Sequence, residues 1–76
     1  MKINLISFGE IAEMIGNKSL QLTVKNIDDL IETLHLRFPA LQQKEYAIAV
    51  NNQIATKNTI LNDGDTVALM PPFSGG

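Results

Sequence analysis

Cysteine is absent from the 76 residues. That excludes disulfides, thiolate nucleophiles and cysteine-held metals together, so the fold has to stand on packing alone. Positive charge is equally thin. Lys2, Lys18, Lys25, Arg37, Lys44 and Lys57 stand singly, and the formal net charge is −2. A chain without a basic stripe offers nothing to a phosphate backbone, so no nucleic-acid partner is expected. No hydrophobic run is long enough to span a membrane, and the early apolar stretch is broken by Asn4, Ser7, Gly9 and Glu10. No membrane association and a cytoplasmic location are the expectations. There is no Gly-x-Gly-x-x-Gly, no P-loop and no internal repeat, so any nucleotide chemistry is expected on another protein.

What is present fits one small domain. Hydrophobic residues make up 45% and charged residues 18%, which argues for a globular chain over a disordered one. A domain of this size buries about 60 to 65% of the surface its unfolded chain exposes, too little for a deep internal cleft.

Periodicity sets the order of elements. Lys2 to Ser7 alternates as a strand, with Ile3 and Leu5 on one face and Ile6 leading to Phe8 on the other. Phe8, Ile11, Ala12 and Ile15 then fall at helical spacing, with Ser7 and Glu10 matching a capping box and Gly16 a C-cap. A short helix is predicted, with a plain loop as its alternative. Leu20, Leu22 and Val24 alternate as the core-facing side of a second strand. Asn26 caps the main helix, Asp28 and Asp29 sit at its positive dipole end, and its apolar face is Ile27, Leu30, Ile31, Leu34 and Phe38, ended by Pro39.

Gln42 to Glu45 is expected to be a linker. Tyr46 to Val50, almost without polar residues, reads as a central third strand. Asn51-Asn52 tolerates positive φ, so Gln53-Ile54-Ala55 is expected as a short fourth strand after a tight turn. Ile60 and Leu61 are expected to plug the core from a loop. Asp63-Gly64-Asp65 is a turn, and Thr66 to Met70 is the last strand, with Val67 and Leu69 opposite Ala68 and Met70. The result is an α+β domain over residues 1–70: a mixed sheet of four to five strands, one main helix packed across it, and a short helix after strand one. The first and last strands can be parallel central neighbours.

The candidate chemical groups inside this body are weak. His35, the single histidine, lies beside the apolar face of the main helix without an acid, metal or nucleophile near it in sequence, so a solvated position is expected. Asp63 and Asp65 lack the following oxygen ligands of a metal loop, and no metal is expected. Helix-dipole complementarity accounts for Asp28-Asp29, and a solvated face for Glu10 and Glu13.

The tail is different. Pro71-Pro72-Phe73-Ser74-Gly75-Gly76 follows an apolar strand with no polar linker. Two prolines favour an extended path, and six residues span roughly 20 Å at about 3.3 Å each. Composition alone leaves two readings open: a passive frayed end, or an arm that presents the Gly76 carboxylate to another active site. A carboxylate with pKa near 3.5 resists nucleophiles at neutral pH, so its use requires activation, most simply as an acyl adenylate made by an ATP-dependent partner.

Asn62-Asp63-Gly64-Asp65-Thr66-Val67-Ala68-Leu69-Met70 with the diproline and Gly75-Gly76, together with Phe8-Gly9-Glu10-Ile11-Ala12 and Ala49-Val50-Asn51, resembles the molybdopterin synthase small-subunit family. That family is made of sulfur carriers with the ubiquitin-like β-grasp fold. The resemblance implies that Gly76 is adenylated by a ubiquitin-activating-type adenylyltransferase using ATP, then converted to a thiocarboxylate by a sulfur donor system. The arm Pro71, Pro72, Phe73, Ser74, Gly75, Gly76 enters the large subunit, where sulfur passes to cyclic pyranopterin monophosphate and builds the dithiolene of molybdopterin. It implies a heterotetramer of two small and two large subunits, no bound cofactor, and no enzyme activity for the chain by itself. It further implies docking through Phe8, Ile54, Met70 and Phe73, although burial preference leaves Phe8 open between core and interface. Two positions depart from the family: Ser7, often aromatic or apolar there, and Phe73, often valine or isoleucine. The alternatives within similar chemistry are the sulfur carrier of thiamine thiazole synthesis and a ubiquitin-like modifier conjugated through Gly76. A plain binding module with an incidental Gly-Gly is the third.

Overall fold

The computed structural model describes residues 1–16 and 19–72. Five strands form one sheet: β1 (Lys2–Ser7), β2 (Leu20–Thr23), β3 (Ala47–Val50), β4 (Gln53–Ile54) and β5 (Thr66–Met70), in the order β2-β1-β5-β3-β4. β1 and β5 are parallel, and every other pairing is antiparallel. Two α-helices, α1 (Gly9–Ile15) and α2 (Ile27–Arg37), and a 3-10 turn at Pro39–Gln43 complete the chain.

α2 forms where the sequence supplies both a start signal and an apolar stripe. The Asn26 side chain accepts a hydrogen bond from the Asp29 amide at 2.8 Å, and Asp29 in return accepts one from the Lys25 amide at 2.8 Å. Two amide donors at the helix start are thereby satisfied, and Asp28 and Asp29 meet the positive end of the dipole. Ile27, Leu30 and Leu34 are buried in one cluster with Ile3 and Leu5 of β1, Leu22 of β2, Val50 of β3, and Val67 and Leu69 of β5. The cluster takes in Ile11 from α1, Leu41 from the 3-10 turn and Leu61 from the loop before β5. The period-2 side of the sheet meets the period-3.6 side of the helix, and this is where the apolar area is removed from water.

Turn chemistry fixes the β3–β4 hairpin. Asn51 and Asn52 have φ of 50° and 72°, a pair of left-handed residues between Val50 and its partner Gln53. That is the geometry a two-residue hairpin requires. β3 is paired on both sides, although β4 is only two residues long, and the centre of the sheet belongs to β1 and β5.

Four expectations are corrected. Ser7 does not cap α1: β1 runs on until Ser7 stands opposite Leu69, the cap position passes to Phe8, and the Ser7 hydroxyl donates instead to the Gly16 carbonyl at 3.3 Å. The supposed linker is not free of structure: its first two residues, Gln42 and Gln43, end the 3-10 turn Pro39–Gln43, which inserts Leu41 into the core. Ile60 does not plug the core; Leu61 is buried and Ile60 is 77% exposed. His35 is half-buried, its Nε2 2.9 Å from the Tyr46 hydroxyl and its ring edge-on to that ring at 6.1 Å. Partial burial pushes the Tyr46 hydroxyl pKa up.

These placements separate two residues that sequence hydrophobicity treats alike. Leu34→Ala is expected to cost about 2 to 5 kcal/mol because it opens a cavity in the main cluster, whereas Ile60→Ala is expected to change stability by less than about 0.5 kcal/mol. Urea denaturation of the two variants checks this, and similar losses in both would contradict the assignment.

Candidate functional site

Alternation along β5 creates the site. Val67 and Leu69 point into the core, so Ala68 and Met70 must emerge on the opposite face of the sheet. Register then assembles one transverse row: Ile6 stands beside Ala68, Ala68 beside Ala49, and Ala49 beside Ile54. Two alanines at the centre with isoleucines at the ends make a trough, since the short side chains leave the floor low. The trough is an open groove of about 370 Å³, with Phe8 and Met70 closing one end and Thr66 and Asn52 contributing to its lining. Among the described residues, no ionisable side chain lines it.

Phe8, Ile54 and Met70 therefore converge on one surface although they come from three different parts of the chain. Phe8 is 51% exposed and Ile54 61% exposed, while Met70 is half-buried. The question that burial preference left open for Phe8 is resolved toward the surface. As the residue before α1 it has extended backbone, and its amide donates to the Leu69 carbonyl at 2.9 Å. The β1–β5 ladder is thus continued by one step, and Phe8 is held beside the end of β5.

The tail leaves from this end. Met70 is still paired with Ala47, and exposed Pro71 and Pro72 follow it. Phe73, Ser74, Gly75 and Gly76 lie outside the described residues. Sequence reasoning missed the support beneath Pro71. Gly9 has φ of +57°, and a Cβ built on it would stand 2.9 Å from the Pro71 Cγ. Absence of a side chain at Gly9 is what lets the first tail proline pack against the start of α1. The signal was legible only as a glycine two residues after the end of strand one.

A polar knot secures the hairpin that carries Ile54. Asp65, nearly buried, accepts from the Asn51 side-chain amide at 2.9 Å and from the Asn62 backbone amide at 2.8 Å. The Asn51 carbonyl oxygen of the side chain accepts in turn from the Thr66 amide at 3.1 Å. The two hydrogen bonds to its oxygens, that from Asn51 first, hold the Asp65 carboxyl below the usual carboxylate range. Asp63 serves the same region by accepting from the Lys2 amide at 2.8 Å. Among the described residues, no group of three histidine or acidic side chains is placed to hold a metal ion, and no helix is long and apolar enough to cross a membrane. The described lining of the groove is apolar with two neutral polar residues, Asn52 and Thr66.

The model of the ThiS family matches residues 5–76. The molybdopterin synthase sulfur carrier subunit of Mycobacterium tuberculosis is 32% identical over 82 residues, with 100% of this chain and 99% of that protein covered. Among solved structures, a protein–protein complex of subunits 1 and 2 of the molybdopterin-converting factor from Helicobacter pylori matches with a TM-score of 0.76 and 28% identity over the full length of both chains. The crystal structure of SAMP1 from Haloferax volcanii matches with a TM-score of 0.79 and 24% identity, again over both chains entirely. The fold is the ubiquitin-like β-grasp.

Asp65 gives the site a pH signature. Its folded pKa lies below the ordinary value of about 3.9, so the stabilisation is complete above that value and is lost as pH falls through the folded one. Asp65→Asn is expected to lower stability at neutral pH and to flatten its decline in acid, as urea midpoints taken along a pH series will show. An acid limb as steep as the wild type's would contradict it.

Proposed function

The chain belongs to the ThiS family, and from that premise we propose that it is the sulfur carrier subunit of a molybdopterin synthase. The observation that carries the reading is full-length identity of 32% to a molybdopterin synthase sulfur carrier subunit. It is supported by an apolar groove at the root of an arm that ends in Gly75-Gly76.

In this reading, residues 1–70 are the docking body and 71–76 the arm. A carboxylate oxygen of Gly76 attacks the α-phosphorus of ATP on the activating enzyme, pyrophosphate leaves, and an acyl adenylate results. Hydrosulfide delivered by the donor system then attacks the acyl carbon, AMP leaves, and loss of the sulfur-bound proton gives the thiocarboxylate. The arm carries that sulfur into the large subunit, where it is transferred to cyclic pyranopterin monophosphate, and two such deliveries complete the dithiolene. Gly75 gives clearance at the reacting carbonyl because it has no Cβ. Phe8, Ile54 and Met70 seat the body on the large subunit, and Phe73 anchors the arm. The chain supplies the sulfur atom and the binding surface; the nucleotide and pterin chemistry belong to its partners, in an assembly of two small and two large subunits.

Intact-protein mass spectrometry after incubation with the activating enzyme, ATP and a sulfur source is expected to show the mass gain of one oxygen-to-sulfur exchange, absent when Gly76 is deleted. No gain, or lysine-linked adducts in its place, would overturn the reading. Ile54→Asp is expected to weaken binding to the large subunit by at least about tenfold, measured by calorimetry, because it replaces an exposed apolar wall of the groove with a charge.

A further inference from the structure

Ile54 borders a second hollow on the other side of β4. This one, about 310 Å³, is walled by Val50, Ile54 and Ile60 and floored by Asn51, Asn62 and Asp65. Ile60 is the most exposed of the large hydrophobic residues described, at 77%. A single exposed isoleucine needs no explanation. Ile60, however, shares a hollow with a residue of the docking groove, and the turn before it is closed by its own hydroxyl: the Thr56 amide donates to the Thr59 Oγ at 2.9 Å.

The floor carries a charge of one sign. Among the described residues, Asp65 is the ionisable one in the lining, and no lysine or arginine lines the hollow. Its two oxygens each accept one hydrogen bond, from Asn51 and from Asn62. A carboxylate has about four acceptor sites, so about two remain for a donor arriving from the hollow. Apolar walls over an anionic floor match a side chain with a methylene stem and a cationic head.

We propose that this hollow receives an arginine or lysine side chain of the large subunit that docks on the adjoining groove, its stem between Ile54 and Ile60 and its head on the Asp65 carboxylate. The docking surface then wraps around β4 and joins the groove, with Ile54 as the shared wall. The inference rests on the sulfur-carrier reading of the groove, and it adds a charge-reading element to a surface that is otherwise apolar.

Gln53, exposed on β4 and part of the same lining, allows a test that leaves the core and Asp65 untouched. Gln53→Glu, Gln53→Lys, Ile60→Ser and Ile54→Asp are each titrated with the full-length large subunit by calorimetry at low and high salt. Gln53→Glu is expected to bind about threefold tighter than wild type and Gln53→Lys about threefold weaker at low salt, with the difference closing at high salt. Ile60→Ser is expected to bind about fivefold weaker at both. Equal affinities for the Gln53 pair, a reversed order, or wild-type affinity for Ile60→Ser overturns the proposal. If those variants behave as wild type while Ile54→Asp fails to bind, this inference alone falls. Wild-type binding by Ile54→Asp removes the groove reading and this one with it.

Discussion

Parallel pairing of β1 with β5 at the centre of the sheet is the constraint on which the other features rest. The ladder runs from Asn4 opposite Thr66 to Ser7 opposite Leu69, and the Phe8 amide extends it to the Leu69 carbonyl. Two strands from opposite ends of the sequence can be neighbours only if everything between them crosses over, and α2 in that connection covers one face. The same pairing ends β5 beside the start of α1. Gly9 meets Pro71 there, and Phe8 comes to rest next to Met70. The arm is therefore rooted in the best-held part of the molecule and not at a sheet edge.

Register gives each face of the sheet a separate task. Leucine, isoleucine and valine side chains on one face pack under α2, while the row Ile6, Ala68, Ala49 and Ile54 forms an uncovered trough on the other. A slip of one residue in β5 would exchange Ala68 for Val67 or Leu69 and invert both faces at once, so core packing itself fixes which face is left uncovered. The apolar pattern that makes the core fixes which residues are left outside. An apolar patch of this kind on a small domain is what supports the proposed docking of a partner on this face.

Much of this was legible in the sequence because the relevant signals are local. Asn26 with Asp28 and Asp29, followed by apolar residues at helical spacing, specified α2 from one stretch of chain, and Asn51-Asn52 specified the hairpin through its demand for positive φ. Failures came where a distant partner decided the outcome. Ser7 is drawn from a capping role into β1 by Leu69, sixty-two residues away. Ile60 and Leu61 are similar in hydropathy, and it is Leu61 that joins the cluster built by distant strands and α2 while Ile60 stays exposed. His35 leaves solvent because Tyr46, in the approach to β3, lies across the end of α2. Phe8, Ile54 and Met70 were named through family resemblance, but the alanine floor between them appears only when three strands are placed in register.

The central claim is that the face opposite α2 receives the partner that acts on the arm. Methyl-resolved NMR of the isotopically labelled chain, taken before and after addition of the unlabelled large subunit, tests it most directly. Perturbation concentrated at Ile6, Ala49, Ile54, Ala68 and Met70, with Leu30, Leu34 and Leu36 little changed, is the result this account predicts. Perturbation concentrated instead along α2, with the trough methyls unmoved, would contradict it.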